Sequence, residues 1–340
     1  MNTLTDKQIN IIERALTLRE RGKILATTII LIIKDGAFSL RINRGSGISI
    51  TVDLDSVPLD MPDGHYQIFD KDGFINMIRS GKRISLQTDP ACLIVGQYTS
   101  YSVKYSATPD TSWLINTSVF DTVLPPSIMT GINAVKYPPA SNTDNLYQLS
   151  KNMIKATNRK TVKTYGLAGK LPAVLNLDPL MLDIIGVMDE NATLAISSST
   201  SGIIRYQHDG LSVISRREIK NFIPVSKILT GCNQSLGMLN GSDFYKKLKA
   251  LKLVSNEGLL FTPRAGKPVL ATPFDSNIIY QVNLDAKLAD TNQTISLDVP
   301  EILEGLSAIR SGKIYVETNK TNNIVGFSSG NYSLYIRNKK

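Results

Sequence analysis

Cysteine, histidine, acid and long apolar runs are all scarce in this sequence, and each shortage removes a class of function. Two cysteines (Cys92 and Cys232) and two histidines (His65 and His208) stand in 340 residues. That excludes a disulfide framework or a cysteine zinc site, and fits a reducing compartment. The histidines leave little for metal or acid–base chemistry, so no cofactor or metal is expected. The longest largely apolar stretch, Ile24 to Ile33 with Thr27 and Thr28 inside it, has ten residues, against the roughly 20 that a bilayer-spanning helix needs. The opening stretch, MNTLTDKQINIIERAL, is polar and mixed in charge, unlike a secretory signal. Acid is the rarer charge: 29 Asp and Glu against 38 Lys and Arg leave a net +9. This excess favours an anionic partner such as nucleic acid or a membrane surface, without choosing between them. With 42% hydrophobic residues the chain can build real cores, and its length suits two or three domains. The expectation is a soluble, basic, cytosolic protein.

Catalytic constellations are missing as well. Asp53-Leu54-Asp55 and Asp60-Met61-Pro62-Asp63 bring carboxylates together, but such acidic stretches are usually turns. Gly45-Ser46-Gly47 has no following Lys-Ser/Thr and no helix, so it is a turn rather than a nucleotide loop. His208-Asp209-Gly210 reads as a hairpin turn, where Asp-Gly is expected. No nucleophile has a base beside it, and an enzyme is not expected.

What the chain does contain is repetition. Residues 78–82 and 309–313 both read Ile-Arg-Ser-Gly-Lys. Three further blocks stay in register to within one residue: Ile84-Ser85-Leu86 with Ile314-Tyr315-Val316, Val95-Gly96 with Val325-Gly326, and Tyr101-Ser102-Val103 with Tyr332-Ser333-Leu334. A weaker copy runs from Ala173 through Ser215. Each copy reads as strand, helix, then three strands, with helices expected over Asp70–Ser80, Pro179–Asp189 and Pro300–Ser311. Pro179 and Pro300 suit a first helical turn, and Gly81 and Gly312 suit left-handed C-terminal caps. Before each copy stands a second helix candidate followed by strands: Asp6–Gly22, Pro125–Val135 and Ser242–Val254. After the middle one, strands are expected near 146–154 and 160–166, although Asn145–Thr157 also admits a helix. Boundaries near 110 and 220 then divide the chain into 1–110, 111–220 and 221–340.

Three tandem units of two helix-plus-sheet halves resemble the bacterial DNA sliding clamps. Phe120–Val135 is similar to the opening of their second domain. Asn221–Leu229 is similar to their proline-containing connector, with Val225-Ser226-Lys227 where Asp-Tyr-Arg is usual. Tyr332–Arg337 runs out on a strand and a basic tail, without the family's Met-Pro pair. The resemblance implies an α+β fold of three clamp-like, processivity-fold domains assembling into a ring, most simply a head-to-tail homodimer. It implies continuous outer sheets, inner helices around duplex DNA, a polymerase as partner, and possible service by a clamp loader. A phage or viral source would fit the departures and would place the protein in host cytoplasm.

A clamp holds DNA without reading it, and phosphate contacts suit that because they carry no sequence information. The candidates are Lys7, Arg14, Arg19, Arg21 and Lys23 on the first helix, and Arg79, Lys82 and Arg83 at the end of the second. In the third unit they are Lys246, Lys247, Lys249, Lys252, Arg310 and Lys313. The plainer reading is that Arg79, Lys82, Arg310 and Lys313 complement helix C-termini, worth ~0.3–1 kcal/mol each, and that Lys246–Lys252 is a solvated face. The resemblance also implies a partner-peptide pocket at Thr164, Gly166, Pro224, Ile228, Leu229, Leu334 and Ile336, against packing of the junction as the plainer role. Two other functions are kept open: an open or monomeric subunit that grips DNA electrostatically, as herpesvirus-type factors do, and a β-rich viral structural protein.

Overall fold

The computed structural model describes residues 2–20, 23–24, 27–35, 37–45, 47–54, 63–80, 83–87, 92–95, 105–106, 120–138, 145–171, 174–197, 203–216, 222, 225, 231–263, 266–289, 294–319 and 323–338. The chain forms two compact units. The first comprises Met1–Thr130, Pro138–Thr143 and Leu175–Lys220; the second comprises Gly131–Tyr137, Asp144–Val174 and Asn221–Lys340. The expected boundaries near 110 and 220, the Tyr101–Val103 block and Gly81 lie outside the described residues. Among those described, no helix is long and apolar enough to cross a membrane.

The first unit is built on a nine-stranded antiparallel sheet. Its order is Tyr105–Ser106, Gly64–Ile68, Thr27–Lys34, Ala37–Arg44, Ile48–Leu54, Leu211–Ser215, Ile204–His208, Thr193–Ile196 and Thr122–Val123. Strands distant in sequence therefore meet at a seam, where Ile50 faces Val213 and Val52 faces Leu211. Period-two alternation aims Leu31, Leu40, Ile42, Ile50, Val52, Leu211 and Val213 at one face, and all are buried. Helix α1 (Asp6–Thr17) lays Ile9, Ile12, Ala15 and Leu16 on that face. Each large aliphatic side chain so buried contributes about 1.5–3 kcal/mol. Helices α2 (Lys71–Ser80) and α4 (Pro179–Ile185) pack against α1, and α3 (Ser127–Val135) begins in this unit. A small sheet of Asn2–Thr3, Arg83–Gln87 and Cys92–Val95 completes it.

The second unit repeats the scheme. Its strands run Leu146–Ser150, Met153–Thr157, Thr161–Gly166, Tyr332–Arg337, Ile324–Ser329, Lys313–Asn319, Cys232–Asn240 and Ala286–Leu288. The seam here pairs Val162 with Tyr335 and Lys163 with Leu334. Helices α5 (Gly241–Lys252) and α6 (Val299–Leu306) pack side by side. A four-stranded sheet lies alongside: Gln281–Asn283, Val269–Ala271, Glu257–Phe261 and Ile295–Asp298.

Several expectations need correction. The first helix stops at Thr17 instead of Gly22. Leu18 is extended (φ −58°, ψ 136°), and the buried Arg44 guanidinium donates to the Ala15 carbonyl at 2.8 Å. A cation at the negative end of the helix favours termination there. Arg19–Glu20 and Lys23–Ile24 form a short antiparallel pair instead. Asn145–Thr157 is neither a helix nor one strand: Leu146–Ser150 and Met153–Thr157 are a hairpin that buries Tyr147, Leu149, Ile154 and Ala156 on alternate positions. Helix α6 ends at Leu306, and Gly312 is not left-handed; its carbonyl accepts the Gly241 N–H at 2.8 Å. The left-handed cap glycine is Gly186 (φ 75°), after α4. The Asp209-Gly210 turn appears as expected, both residues having positive φ.

Gly237 sits at a bulge in strand Cys232–Asn240 with φ 128°, and a Cβ there would lie 2.0 Å from the Lys287 carbonyl oxygen. Gly237→Ala is expected to lower stability by about 1–3 kcal/mol, measured by urea unfolding; an unchanged midpoint would refute the assignment of strain.

Candidate nucleic-acid interface

The predicted cations fall into tethered and free groups once their surroundings are known. On α1, whose N-terminus is held by a Thr5–Gln8 capping box, Lys7 is tethered: its Nζ is 3.2 Å from Asp189 Oδ2 and lies over the Tyr206 ring at 5.6 Å. Arg14 is exposed, and its guanidinium runs beside Gly186, where a Cβ would sit 1.8 Å from Nη1. The missing side chain of Gly186 thus leaves Arg14 its path. A hollow of about 380 Å³ between α1 and the end of α4 is lined by Lys7, Asn10, Arg14, Val187 and Asp189. Val187 is 77% exposed there, an apolar residue on a polar rim that no sequence pattern marks.

Arg79, in the last turn of α2, pairs with Glu13 of α1 and holds the Glu13 carboxyl below its usual range. Arg19, Lys23 and Arg83 lie on short strands rather than on helices. Arg21 and Lys82 lie outside the described residues.

Helix α5 carries the densest free charge. Phe244, Leu248 and Leu251 face inward, and Lys246, Lys249 and Lys252 are exposed. Spacing of three puts these lysines along one helical stripe. Lys247 is different. Its Nζ is 2.6 Å from Asp243 Oδ1 and donates to the Asn283 carbonyl at 2.8 Å, so it braces the helix. Lys249 lies over the Tyr245 ring at 5.1 Å. Arg310 and Lys313 are exposed beyond the end of α6, too far along to complement its last turn. Helices α3 and α4 carry no Lys or Arg.

The predicted peptide pocket divides between two faces of one sheet. Cross-strand partners share a face, so Thr164, paired with Ser333, lies on the face away from α6. Leu334, paired with Lys163, lies on the other and packs on Gly305 of α6. Pro224, Ile228 and Leu229 lie outside the described residues. On the face of Thr164 is a hollow of about 540 Å³. Thr157, Val162, Val225, Ile324, Tyr335 and Arg337 line it, with Ile336 at its border. Gly166 is on the same strand and donates to the Asn331 carbonyl at 2.8 Å. Sequence reasoning does not reach Tyr335, whose strand neighbours Leu334 and Ile336 are the more apolar, nor Ile324, which comes from the adjacent strand Ile324–Ser329. A one-residue difference in parity exchanges the two faces.

Solved structures share this architecture along the whole chain. The DNA polymerase sliding clamp from Bacillus subtilis superposes with a TM-score of 0.75 at 11% identity, covering 100% of this chain and 98% of that one. This is the sliding-clamp fold. The beta subunit from the DNA polymerase of Streptococcus pyogenes gives 0.74 at 15% identity, over 98% and 96% of the two chains. The Helicobacter pylori beta clamp bound to a DNA ligase peptide gives 0.70 at 14%, over 100% and 99%. No family model matches the sequence, and no curated protein does. The clamp fold is thus kept while nearly nine in ten residues differ, which leaves burial pattern and strand register as the shared content.

Asp243 gives a check on the helix that carries the free lysines. Partial burial pushes its carboxyl up, but the Lys247 hydrogen bond, the Asp285 N–H and nearby cations together hold it below its ordinary range. Its contribution to stability is present above the unfolded carboxylate pKa and is lost as the pH falls through the depressed folded value. Asp243→Asn is expected to destabilise by about 1 kcal/mol at neutral pH, with the difference vanishing in acid. Equal destabilisation at all pH values would contradict the pairing.

Proposed function

We propose that this protein is a DNA sliding clamp, a non-enzymatic cytoplasmic processivity factor that encircles duplex DNA and tethers a DNA polymerase. The observation that carries this reading is the clamp fold over the full chain, joined to a free lysine stripe on a helix that the fold would turn toward DNA. Mobile ammonium groups on long stems exchange phosphates as the duplex moves, and no base contact is needed. Lys246, Lys249, Lys252, Arg310, Lys313 and Arg14 are the residues we assign to this role. Lys7, Arg79 and Lys247 act on the scaffold instead. The sequence division into 1–110, 111–220 and 221–340 is retained as three domains. It is supported by two large sheets that each unite strands from two of those segments.

The hollow floored by Val162, Val225 and Tyr335 is the partner-peptide site in this reading. A structural relative bound to a ligase peptide supports it. Ring closure by a head-to-tail homodimer is supported by the edges of the small sheets. Among the described residues, the sheets of three strands in one unit and four in the other have edges that pair with no further strand. Two such half-sheets, from different copies, would join as the large ones do. Leu253, Phe274, Ile278 and Ile279, beside the four-stranded sheet, are 52–88% exposed, an apolar surface suited to burial by a second copy.

Primer extension by the cognate polymerase should become longer per binding event when the protein is added, and no lengthening would refute the assignment. Replacing Lys246, Lys249 and Lys252 together by alanine should reduce the slope of log affinity against log salt by about 2–3. On nicked circles a closed ring should resist moderate salt, whereas an open electrostatic grip would release steeply. Ile279→Asp should convert a dimer into monomers in light scattering; an unchanged mass would exclude that surface from closure.

A further inference from the structure

Among the described residues of the second unit, Lys163 closes the seam by charge instead of apolar contact. Only 3% of the residue is exposed. Its Nζ is 2.9 Å from Glu304 Oε1 of α6, 3.4 Å from the Lys136 carbonyl and 3.9 Å from the centroid of the Tyr137 ring. Tyr137 is itself fixed, its hydroxyl lying 2.8 Å from Thr161 Oγ1. One turn earlier on α6, Glu301 takes hydrogen bonds or an ion pair from Asn158 and Lys160, both at 3.2 Å. Strand Thr161–Gly166 and its preceding turn are therefore keyed to two carboxylates spaced three apart on one helix.

We propose that the Lys163–Glu304 pair is a register lock for the seam between strands Thr161–Gly166 and Tyr332–Arg337. The reasoning is one of alternatives. In the native register Lys163 stands opposite Leu334 and meets Glu304. A slip of two residues keeps its face but carries the ammonium away from its carboxylate, among Leu334, Ile336 and Tyr332. A slip of one turns it to the opposite face and leaves Glu304 alone. The two-residue slip strands a buried ammonium, the costly outcome, and the one-residue slip exchanges the face of every side chain on the strand, while the native pair itself need add little net stability. Burial pulls the Lys163 ammonium below its ordinary range, and Glu304 pulls it back. The seam of the first unit is keyed differently: its helix-facing residues are Ile48, Ile50, Val52, Leu211, Val213 and Ser215, none of them charged, and the Ser215 hydroxyl donates to the buried Asp178 carboxylate at 2.7 Å. Two joints made of the same kind of strand are thereby chemically distinct. A chain of repeated halves gains from this, because it must avoid joining the wrong edges.

Cross-linking tests this independently of any role with DNA. Val162→Cys with Tyr335→Cys reports the native register, since those residues are directly opposed. Val162→Cys with Arg337→Cys reports a two-residue slip, since diagonal neighbours are too far apart for a disulfide. In the parent only the first pair should form. Lys163→Met with Glu304→Leu, an apolar pair, should recover a parent-like thermal midpoint and form both disulfides. Glu304→Gln, which leaves Lys163 without its counter-charge, should lower the midpoint by roughly 5 °C and also admit the slipped disulfide. A parent-like midpoint in Glu304→Gln would overturn the proposal. So would exclusive native cross-linking in either background, and Glu304→Gln decides alone should the double variant fail to fold.

Discussion

Edge-to-edge pairing of half-sheets is the constraint on which the rest of this structure depends. Strand Ile48–Leu54 meets Leu211–Ser215 in one unit, and Thr161–Gly166 meets Tyr332–Arg337 in the other. An antiparallel seam satisfies the backbone groups of two edges that would otherwise stay open. It also forces both halves to present their apolar residues to the same side, because the side-chain period is two. Helices then have one face to cover. The opposite face keeps polar residues and, in the second unit, the hollow around Val162 and Tyr335.

Charge is divided by function within this frame. Some cations hold the scaffold: Arg44 ends α1, Lys247 braces α5, and Lys163 closes a seam. Others, such as Lys246, Lys249 and Lys252, stay exposed and outside any carboxylate ion pair found among the described residues. Only the second group keeps the freedom that a sequence-independent grip on phosphates requires. The count of 38 Lys and Arg therefore overstates the number of cations left untied at the surface.

Much of the architecture was legible in the residues. Ile-Arg-Ser-Gly-Lys at 78–82 and 309–313 announced duplication, and the helices Lys71–Ser80 and Val299–Leu306 with their following strands bear it out. The faces of α1 and α5 followed from apolar spacing. The site was less legible. Arg19 and Lys23 looked helical because their periodicity continues past Thr17, and the Arg44 guanidinium that ends the helix comes from 29 residues away. The resemblance puts Leu334 in the pocket, yet its parity sends it to the helix side.

Local chemistry alone thus determined most element types, the repeat and the excess of cations, since propensity and periodicity act over a few neighbouring residues. Tertiary structure decided which edges join, which face each strand residue takes, and which lysines are tied to carboxylates. Those outcomes depend on groups far apart in the chain: Lys163 and Glu304 are 141 positions apart, and no local pattern encodes their meeting.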